Sequence, residues 1–346
     1  MYFDPRPKTR KEQIFNREKE FDELSRNIDL PLIVITGIRR IGKTSVLNVF
    51  LNELSIPSVI LDLRSLPKNY GNRVLYDILG KALSSKLDKF IDLLKSISSI
   101  RILGNEVEIK WKGKGAIALS SLFDYLNKKR VVIAFDEAQK LRGPRSSEIL
   151  NAVAHAYDYN KNITFMFTGS EVGLLYDFLG VEKRDSPLYG RYYYTLAVER
   201  FTSDVAESFL RTGFKEYGLE ANEEVLDYAL NFFDGIPGWL AFFGNEFCRG
   251  KKKFEQIKEL AINIALEELN HLIEERGSRY ATMLKAISVG ENSWSRVKRY
   301  VEEKEGVTVS SSILSNIINS LEDLSIIKDY KFLDPVYKEA SLRLFR

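Results

Sequence analysis

The stretch that most restricts how this chain can fold is TGIRRIGKTSVL, residues 36–47. It contains the spacing Gly-x-x-x-x-Gly-Lys-Thr and follows the aliphatic run PLIVI at 31–35, which is typical of a buried parallel strand. The apolar residues after the loop have the periodicity of an amphipathic helix: Val46, Leu47, Phe50, Leu51 and Leu54. A strand, a glycine-rich loop and a helix form the context that a phosphate-binding P-loop requires. The pattern therefore predicts an α/β fold with a phosphate site rather than a surface turn.

Each residue type in this loop suits a bound triphosphate. Gly37 and Gly42 allow backbone conformations that turn successive N–H groups onto phosphate oxygens. Lys43 would neutralise the β- and γ-phosphates, and the Thr44 hydroxyl would bind Mg²⁺. The start of the following helix directs its positive dipole end at the same anion. We predict that the nucleotide is bound by the whole loop: Gly37, Ile38, Arg39, Arg40, Ile41, Gly42, Lys43, Thr44 and Ser45.

A second buried strand is predicted in RVVIAFDEAQ, residues 130–139, and it ends in two carboxylates. Ligands bind at the carboxyl ends of strands in open α/β sheets. We predict that Asp136 holds Mg²⁺ and that Glu137 orients and deprotonates the attacking water. The guanine-binding pattern Asn-Lys-x-Asp is missing, because the nearest stretch, NKKR at 127–130, has no aspartate. ATP is therefore favoured as the nucleotide, and the carboxylate pair favours hydrolysis over a small-molecule kinase.

Two further strands carry polar residues. In NITFMFTGS, residues 162–170, the hydroxyls of Thr168 and Ser170 would reach the γ-phosphate or the lytic water, or else cap the next helix. In RYYYTLA, residues 191–197, Arg191 would respond to phosphate charge or be an ordinary surface arginine.

With PSVILDL at 57–63, the chain offers five strands that alternate with helical patterns. This alternation predicts a five-stranded parallel sheet covered by helices on both faces. One insertion interrupts it: IRILGNEVEIKW, residues 100–111, reads as a β-hairpin around a Gly-Asn turn. Its basic edge, KWKGKG at 110–115, is interpreted as solvated rather than as a nucleic-acid clamp.

Beyond residue 200 the strand pattern gives way to helices. Residues 202–274 predict a helical lid, broken at DGIPGW, 234–239. Three short helical patterns and an extended arm, KDYKFLDP at 328–335, then predict a winged helix-turn-helix. The predicted domains are an ATPase domain at 1–200, a lid at 201–274 and a winged helix at 275–346.

Composition restricts the remaining possibilities. The chain has one cysteine and two histidines among 346 residues, which makes a disulfide framework or a Cys/His metal cluster implausible. The formal net charge is only +3, so any basic surface must be local. No apolar run reaches the roughly 20 residues of a membrane span. We therefore expect a cytoplasmic protein that does not bind membranes.

Several of these segments resemble one known family, the archaeal ATPases, which are related to the AAA+ and STAND ATPases. The similarity extends over almost the whole chain. It is carried by FNREKEFDEL (15–24), GIRRIGKTSVL (37–47), FDEAQ (135–139), FTGSEVGLL (167–175), LYGR (188–191), GIPGWL (235–240) and LDPVYKE (333–339).

The resemblance implies roles for residues outside the loop. It places Phe15, Asn16 and Arg17 at the adenine, although this chain has Asn16 where the family usually has glycine. It brings Pro237 of the lid to the nucleotide and favours Arg191 as a phosphate sensor.

Two functions remain open at this point. The first is an ATP-hydrolysing switch that regulates or signals through a protein partner or through self-association. The second is a nucleic-acid-binding ATPase related to origin-recognition initiators. The predicted recognition helix, SSILSNIINSLEDL at 311–324, has no Lys or Arg, and residues 275–346 have 12 basic and 10 acidic residues, a net charge of +2. Phosphate contacts normally need basic side chains, so this pattern weakens the second function.

Overall fold

The computed structural model describes residues 1–220, 222–250 and 252–344 of the 346-residue chain. These residues form two compact units. The sheet unit consists of Pro7–Gly37 and Lys43–Val198. The helical unit consists of Met1–Arg6, Ile38–Gly42 and Glu199–Arg346. The predicted boundary between a lid and a winged helix at 274/275 lies within the helical unit and stays a prediction.

The sheet unit is built on five parallel strands in the order β2-β5-β6-β1-β7, which confirms the predicted sheet. Its strands are β1 (Leu32–Thr36), β2 (Ser58–Asp62), β5 (Val131–Asp136), β6 (Ile163–Gly169) and β7 (Tyr194–Ala197), and the predicted hairpin is β3 (Ile100–Leu103) with β4 (Glu106–Ile109). Every residue of β1, β5 and β6 is buried, which is why these strands read as continuous aliphatic or aromatic runs.

Helices connect the strands of this unit. They are α1 (Glu18–Asn27), α2 (Lys43–Glu53), α3 (Asn72–Ser84), α4 (Leu87–Leu94), α5 (Leu119–Leu126), α6 (Ser146–Tyr159) and α7 (Val172–Leu179). Two short 3₁₀ helices occur at Lys11–Gln13 and Ala138–Leu141.

Aromatic residues lock the two central strands together. Phe135 of β5 and Phe167 of β6 are register partners, and their rings stack with centroids 4.9 Å apart. Phe165 of β6 meets Phe123 of α5 edge to face at 5.1 Å. Removing such a ring typically costs about 3–5 kcal/mol. This packing fixes the register of the β5 and β6 carboxyl ends.

The helical unit contains eight helices and a small β-wing within the described residues. Its elements are α8 (Ser203–Glu216), α9 (Glu223–Phe233), α10 (Pro237–Cys248), α11 (Phe254–Arg276), α12 (Arg279–Ser288), α13 (Trp294–Glu305), α14 (Ser311–Asp323), β8 (Ile327–Lys328), β9 (Lys331–Phe332) and α15 (Pro335–Ser341). The wing turns through Asp329 and Tyr330, whose φ values of 49° and 59° are those of a tight hairpin turn. The sequence analysis did not predict α15, which begins at Pro335 and is capped by the Asp334 side chain.

One predicted core position of the winged helix is wrong. Ile313 lies on the outer face of α14 with 43% of its surface exposed, whereas Leu314, Ile317, Ile318 and Leu321 are buried as expected. Ile313 lies in the first turn of α14, beside a surface pocket that it shares with Arg276 and Tyr280. The apolar spacing alone does not reveal that this end of the helix is uncovered.

The start of the chain is anchored in the helical unit. Phe3 is fully buried and meets Phe209 and Phe214 edge to face. A Cβ atom at Gly213 or Gly244 would lie only 2.3 or 2.4 Å from the Phe3 ring. The two glycines therefore form the slot that accepts this ring.

Candidate functional site

The loop between β1 and α2 has the backbone of a phosphate cradle. Gly37 and Gly42 have φ values of 146° and 100°, which side-chain-bearing residues rarely adopt. A Cβ atom at Gly42 would meet nothing within 4 Å, so conformation rather than space calls for glycine there. Arg40 is also left-handed, at φ 64°, which is uncommon for a non-glycine residue. These turns precede the first residue of α2, Lys43.

Lys43 is nearly buried, with 4% of its surface exposed. Its Nζ atom donates a hydrogen bond to the Gly37 carbonyl at 2.8 Å, so the ammonium group folds back across the loop that contains it. Burying a cation is costly unless it is paired. A triphosphate would supply the missing negative charge.

Asp136 joins three of the predicted residues at the carboxyl edge of the sheet. Its Oδ2 accepts a hydrogen bond from the Thr44 hydroxyl at 2.9 Å, and its Oδ1 accepts one from Thr168 at 2.5 Å. The order β5-β6-β1 explains the meeting, because the ends of these neighbouring strands share one edge. Burial raises the pKa of Asp136, and the hydrogen bonds from Thr168 and Thr44 only partly offset this.

Glu137 follows Asp136 in a left-handed conformation, at φ 59°. Its Oε2 accepts hydrogen bonds from Gln139 Nε2 at 2.6 Å, from Ser170 Oγ at 2.7 Å and from the Ser170 N–H at 3.3 Å. Burial raises the pKa of Glu137, but the charge of Lys43 and the bonds from Ser170 and Gln139 outweigh it, so the pKa lies below its usual range. Ser170 thus contacts the carboxylate and does not cap α7.

The predicted adenine segment precedes α1. Phe15 is half-buried, Asn16 is exposed and Arg17 is buried, with its guanidinium bonded to Glu20 at 2.6 Å. Asn16 has a φ of 49°, in the left-handed region that glycine adopts readily and asparagine better than most residues. The backbone therefore accounts for the exchange of glycine for asparagine at this position.

Pro237 lies at the first position of α10. The next residue, Gly238, donates its N–H to the carbonyl of Arg40 at 2.9 Å. A Cβ atom at Gly238 would lie 2.8 Å from that same oxygen, so glycine permits the approach. Within the helical unit, the structure thus brings the start of α10 to a residue of the phosphate loop.

Arg191 is not brought together with these residues. It precedes β7 and therefore lies at the amino edge of the parallel sheet, whereas Asp136 ends β5 at the carboxyl edge. Its guanidinium pairs with Asp158 at 3.2 and 2.6 Å and lies over Tyr157. Four strand residues alone span about 13 Å. The prediction that Arg191 senses the phosphate bound by its own chain does not fit this geometry.

Comparison with known proteins agrees with the fold and the loop. The profile of an ATPase domain found predominantly in Archaea matches residues 14–243. The Walker-type ATPase PABY2304 of Pyrococcus abyssi is 35% identical, with 99% of each chain covered and a TM-score of 0.83. The chain belongs to this archaeal ATPase family.

Other comparisons add less about this archaeal ATPase. Residues 274–340 match the C-terminal winged helix-turn-helix domain of MCM proteins. The Aeropyrum pernix ORC1 protein in complex with DNA (coverage 95% and 92%, TM-score 0.44) and the Thermotoga maritima RuvB motor (95% and 93%, 0.45) are each 14% identical, too distant to support an argument. No curated protein matches.

The sequence analysis missed part of the ATPase's sheet edge. Asp62 ends β2 directly beside Asp136 in the register and binds Arg64 at 2.8 and 2.5 Å, and Gln139 holds Glu137. A signal for Asp62 was available, because it too ends a predicted strand. Nothing in the local pattern identified Gln139.

The oxygen atoms at this edge suit magnesium. Thr44 and Asp136 offer a hydroxyl and a carboxylate 2.9 Å apart, and Mg²⁺ typically binds one or two carboxylates together with water and substrate phosphates. Among the described residues, no cluster of three or more His, Cys, Asp and Glu could form a metal cage without a nucleotide. The described helices also include none long and apolar enough to cross a membrane.

Proposed function

We propose that this archaeal ATPase is an ATP-hydrolysing conformational switch, regulatory or signal-transducing, in which the phosphate loop passes the state of the nucleotide to the helical unit. The cofactors are ATP or ADP and Mg²⁺. The observation that carries the proposal is that a residue of the phosphate loop is tied to the lid and the winged helix.

At the phosphates, the residues have separate tasks. The backbone from Gly37 to Ser45 wraps the phosphates, and Lys43 neutralises their charge. Thr44 and Asp136 hold Mg²⁺, which when bound neutralises the developing phosphate charge. Glu137 orients the attacking water and takes its proton, while Thr168 holds the Asp136 carboxylate in place.

The nucleoside end of ATP is assigned to two segments. Phe15, Asn16 and Arg17 bind the adenine, and Pro237 approaches the nucleotide from the start of α10. Both assignments come from the family resemblance. The positive φ of Asn16 and the contact between Gly238 and Arg40 support them.

The link to the helical unit begins at Arg40. Its guanidinium pairs with Glu268 of α11 at 2.8 and 3.3 Å and lies over the Trp239 ring, 4.0 Å from the centroid. Arg39 adds a second cation, 3.2 Å from Glu268. A residue of the phosphate loop is thereby held by two separate lid helices.

The same partners reach the winged helix. The Tyr337 hydroxyl of α15 donates to Glu268, and Trp239 Nε1 donates to Asp334 at 2.8 Å. Asp334 in turn caps α15. We call these five residues, Arg40, Trp239, Glu268, Asp334 and Tyr337, the Arg40 cluster.

The electrostatics of the Arg40 cluster suit a switch. Burial raises the pKa of Glu268, but Arg40 and Arg39 lower it further, so the glutamate stays ionised and paired. Breaking a largely buried pair is expensive, so such a cluster favours discrete arrangements over gradual ones. A phosphate bound at the loop competes with Glu268 for the charge of Arg39 and Arg40.

Hydrogen exchange of the full chain tests this proposal. The Glu137→Gln variant with ATP and Mg²⁺ should exchange amides of 254–276 and 335–341 at rates different from those of the nucleotide-free variant. Adding Arg40→Ala should abolish the difference at 335–341 while ATP still binds. Equal exchange at 335–341 with and without ATP would rule out the switch.

The alternative, a nucleic-acid-binding ATPase, has less support. The exposed positions of α14 include Ser312, Ile313, Asn316 and Asn319, which offer phosphates no positive charge. We therefore propose that the winged helix contacts a protein surface or a second copy of the chain.

Duplex DNA binding discriminates between the two functions. We expect a dissociation constant of about 10⁻⁶ M or weaker at roughly 150 mM salt, the range of non-specific binding. A nanomolar affinity that Arg296→Ala or Arg299→Ala reduces would favour the alternative.

A further inference from the structure

We propose that Gln139 and Ser170 are positioning residues for ATP hydrolysis: they hold one oxygen of Glu137 so that the other faces the attacking water. This inference rests on the proposed role of Glu137 as the general base. It assigns a task to two side chains that the phosphate loop does not contain.

The hydrogen bonds to Glu137 are unevenly divided between its two oxygens. Oε2 accepts from Gln139 Nε2 at 2.6 Å and from the Ser170 hydroxyl and N–H at 2.7 and 3.3 Å. A carboxylate oxygen has two lone pairs, so three donors occupy it fully. Oε1 accepts no hydrogen bond from the described residues. The proton of an attacking water can therefore be taken only by Oε1.

The backbone brings this arrangement about. Glu137 is left-handed, at φ 59°, and the 3₁₀ helix Ala138–Leu141 begins directly after it. This sharp turn lets Gln139 bond to a side chain only two residues earlier. Ser170 reaches the same oxygen from the end of the neighbouring strand β6. Two independent segments thus fix one carboxylate.

The burial of Gln139 argues against a purely structural role. The residue is 4% exposed, and its Oε1 is buried with no hydrogen-bond partner among the described residues. An unsatisfied buried carbonyl destabilises a fold, so an apolar side chain would serve stability better. The other half of the amide, Nε2, explains why a glutamine suits this position.

Gly169 makes room for the amide. A Cβ atom there would lie 2.7 Å from Gln139 Oε1 and 3.0 Å from the Leu175 side chain. The glycine between Thr168 and Ser170 therefore leaves the space in which Gln139 sits against Glu137.

The test uses steady-state kinetics of the full chain. Gln139→Met keeps the length of the side chain but cannot donate, and Ser170→Ala removes the hydroxyl. Each should lower kcat about tenfold, equivalent to about 1.4 kcal/mol. KM for ATP should stay within about twofold, because the proposed contacts act on the water and not on the nucleotide. The melting temperature of Gln139→Met should be unchanged or higher.

Two further variants serve as controls. Ser170→Thr keeps a hydroxyl and should restore kcat. Tyr70→Phe removes a hydroxyl that donates to the Leu141 carbonyl of the same 3₁₀ helix at 2.8 Å, and it should leave kcat unchanged. A loss of kcat in Tyr70→Phe equal to that in Gln139→Met would mean that any disturbance of this helix has the same effect, which would overturn the proposal.

The remaining outcomes separate this inference from the proposed function. If Glu137→Gln loses hydrolysis while Gln139→Met and Ser170→Ala retain full kcat, only the positioning role is wrong. If Glu137→Gln keeps its turnover, the general base itself is misassigned. If Ser170→Thr fails to restore kcat, the hydroxyl of Ser170 does not position Glu137.

Discussion

The carboxyl edge of the sheet and the Arg40 cluster treat their charges in opposite ways. At the edge, Asp136 and Glu137 are held by uncharged donors: the hydroxyls of Thr44, Thr168 and Ser170 and the amide of Gln139. In the Arg40 cluster, Glu268 faces two arginines directly.

This difference indicates which region can perform chemistry. Neutral donors orient the edge carboxylates but leave their negative charge available to a metal ion or a proton. Opposite charges in the Arg40 cluster cancel, and little charge remains to stabilise a transition state. The edge is suited to hydrolysis, whereas the Arg40 cluster is suited to holding distant segments in a definite arrangement.

Lys43→Ala should have the largest effect at the sheet edge. We expect loss of measurable ATP binding by calorimetry, because the phosphates lose the compact cation at the start of α2. Lys140→Ala is the matched control, since Lys140 is exposed on the nearby 3₁₀ helix and should leave binding unchanged. Near-normal affinity in Lys43→Ala would mean that the loop does not bind the triphosphate.

Glu137→Gln should separate binding from hydrolysis. The amide cannot take a proton, so turnover should fall by roughly 10²-fold or more while ATP and Mg²⁺ still bind. Asp136→Ala, in contrast, should weaken the Mg²⁺-dependent binding itself. Both are measured by phosphate release and calorimetry. Unchanged turnover in Glu137→Gln would show that this carboxylate is not the base.

Arg40→Ala and Glu268→Gln should show strong coupling in chemical denaturation. Each single variant should lose about 2–3 kcal/mol of unfolding free energy, because a largely buried partner is left unpaired. The double variant should lose about 1–3 kcal/mol less than the sum. Arg64→Ala and Asp62→Asn, which disrupt an exposed pair, should couple by about 1 kcal/mol or less. Additive losses at Arg40 and Glu268 would show that their contact is incidental.

The Arg40 cluster also predicts a dependence on pH. The pKa of Glu268 is lowered on folding, so its contribution is present above the unfolded pKa near 4.5 and is lost as the pH falls through the lower folded value. Denaturation of the wild type and of Glu268→Gln at several pH values measures this. The stability difference between them should shrink as the solution becomes more acidic.

Arg191→Ala should have the smallest effect. We expect ATP affinity and intrinsic turnover within about twofold of the wild type, since only a partly exposed pair with Asp158 is lost, worth about 1 kcal/mol or less. Assays at low protein concentration measure the contribution of a single chain. A large loss of turnover under these conditions would restore the role predicted from the sequence.

Much of the sheet edge could be predicted from the sequence because its signals are local. Continuous aliphatic runs identified β1, β5 and β6, and residues that follow parallel strands must meet at one edge. The same rule applied to Arg191, which precedes its strand, would have excluded it from this edge. Family resemblance favoured it, but the topology decides its position.

The Arg40 cluster could not be predicted in this way. Arg40 and Glu268 are 228 residues apart, and no periodic pattern relates them. The LDPVYKE segment matched the family, yet only the fold shows that Asp334 meets Trp239 and that Tyr337 meets Glu268. Contacts between such distant residues depend on how helices pack, which local propensities do not determine.

Trp239 also gives this protein an optical probe of its own phosphate loop. The indole is buried, an arginine of the loop lies over its ring, and its N–H is bonded to a carboxylate. Indole emission shifts with the local electric field, so movement of either charge changes its colour. The other two tryptophans are Trp111 and Trp294. Replacing both with phenylalanine leaves a single emitter, through which nucleotide binding can be followed in a stopped-flow fluorimeter without any attached dye.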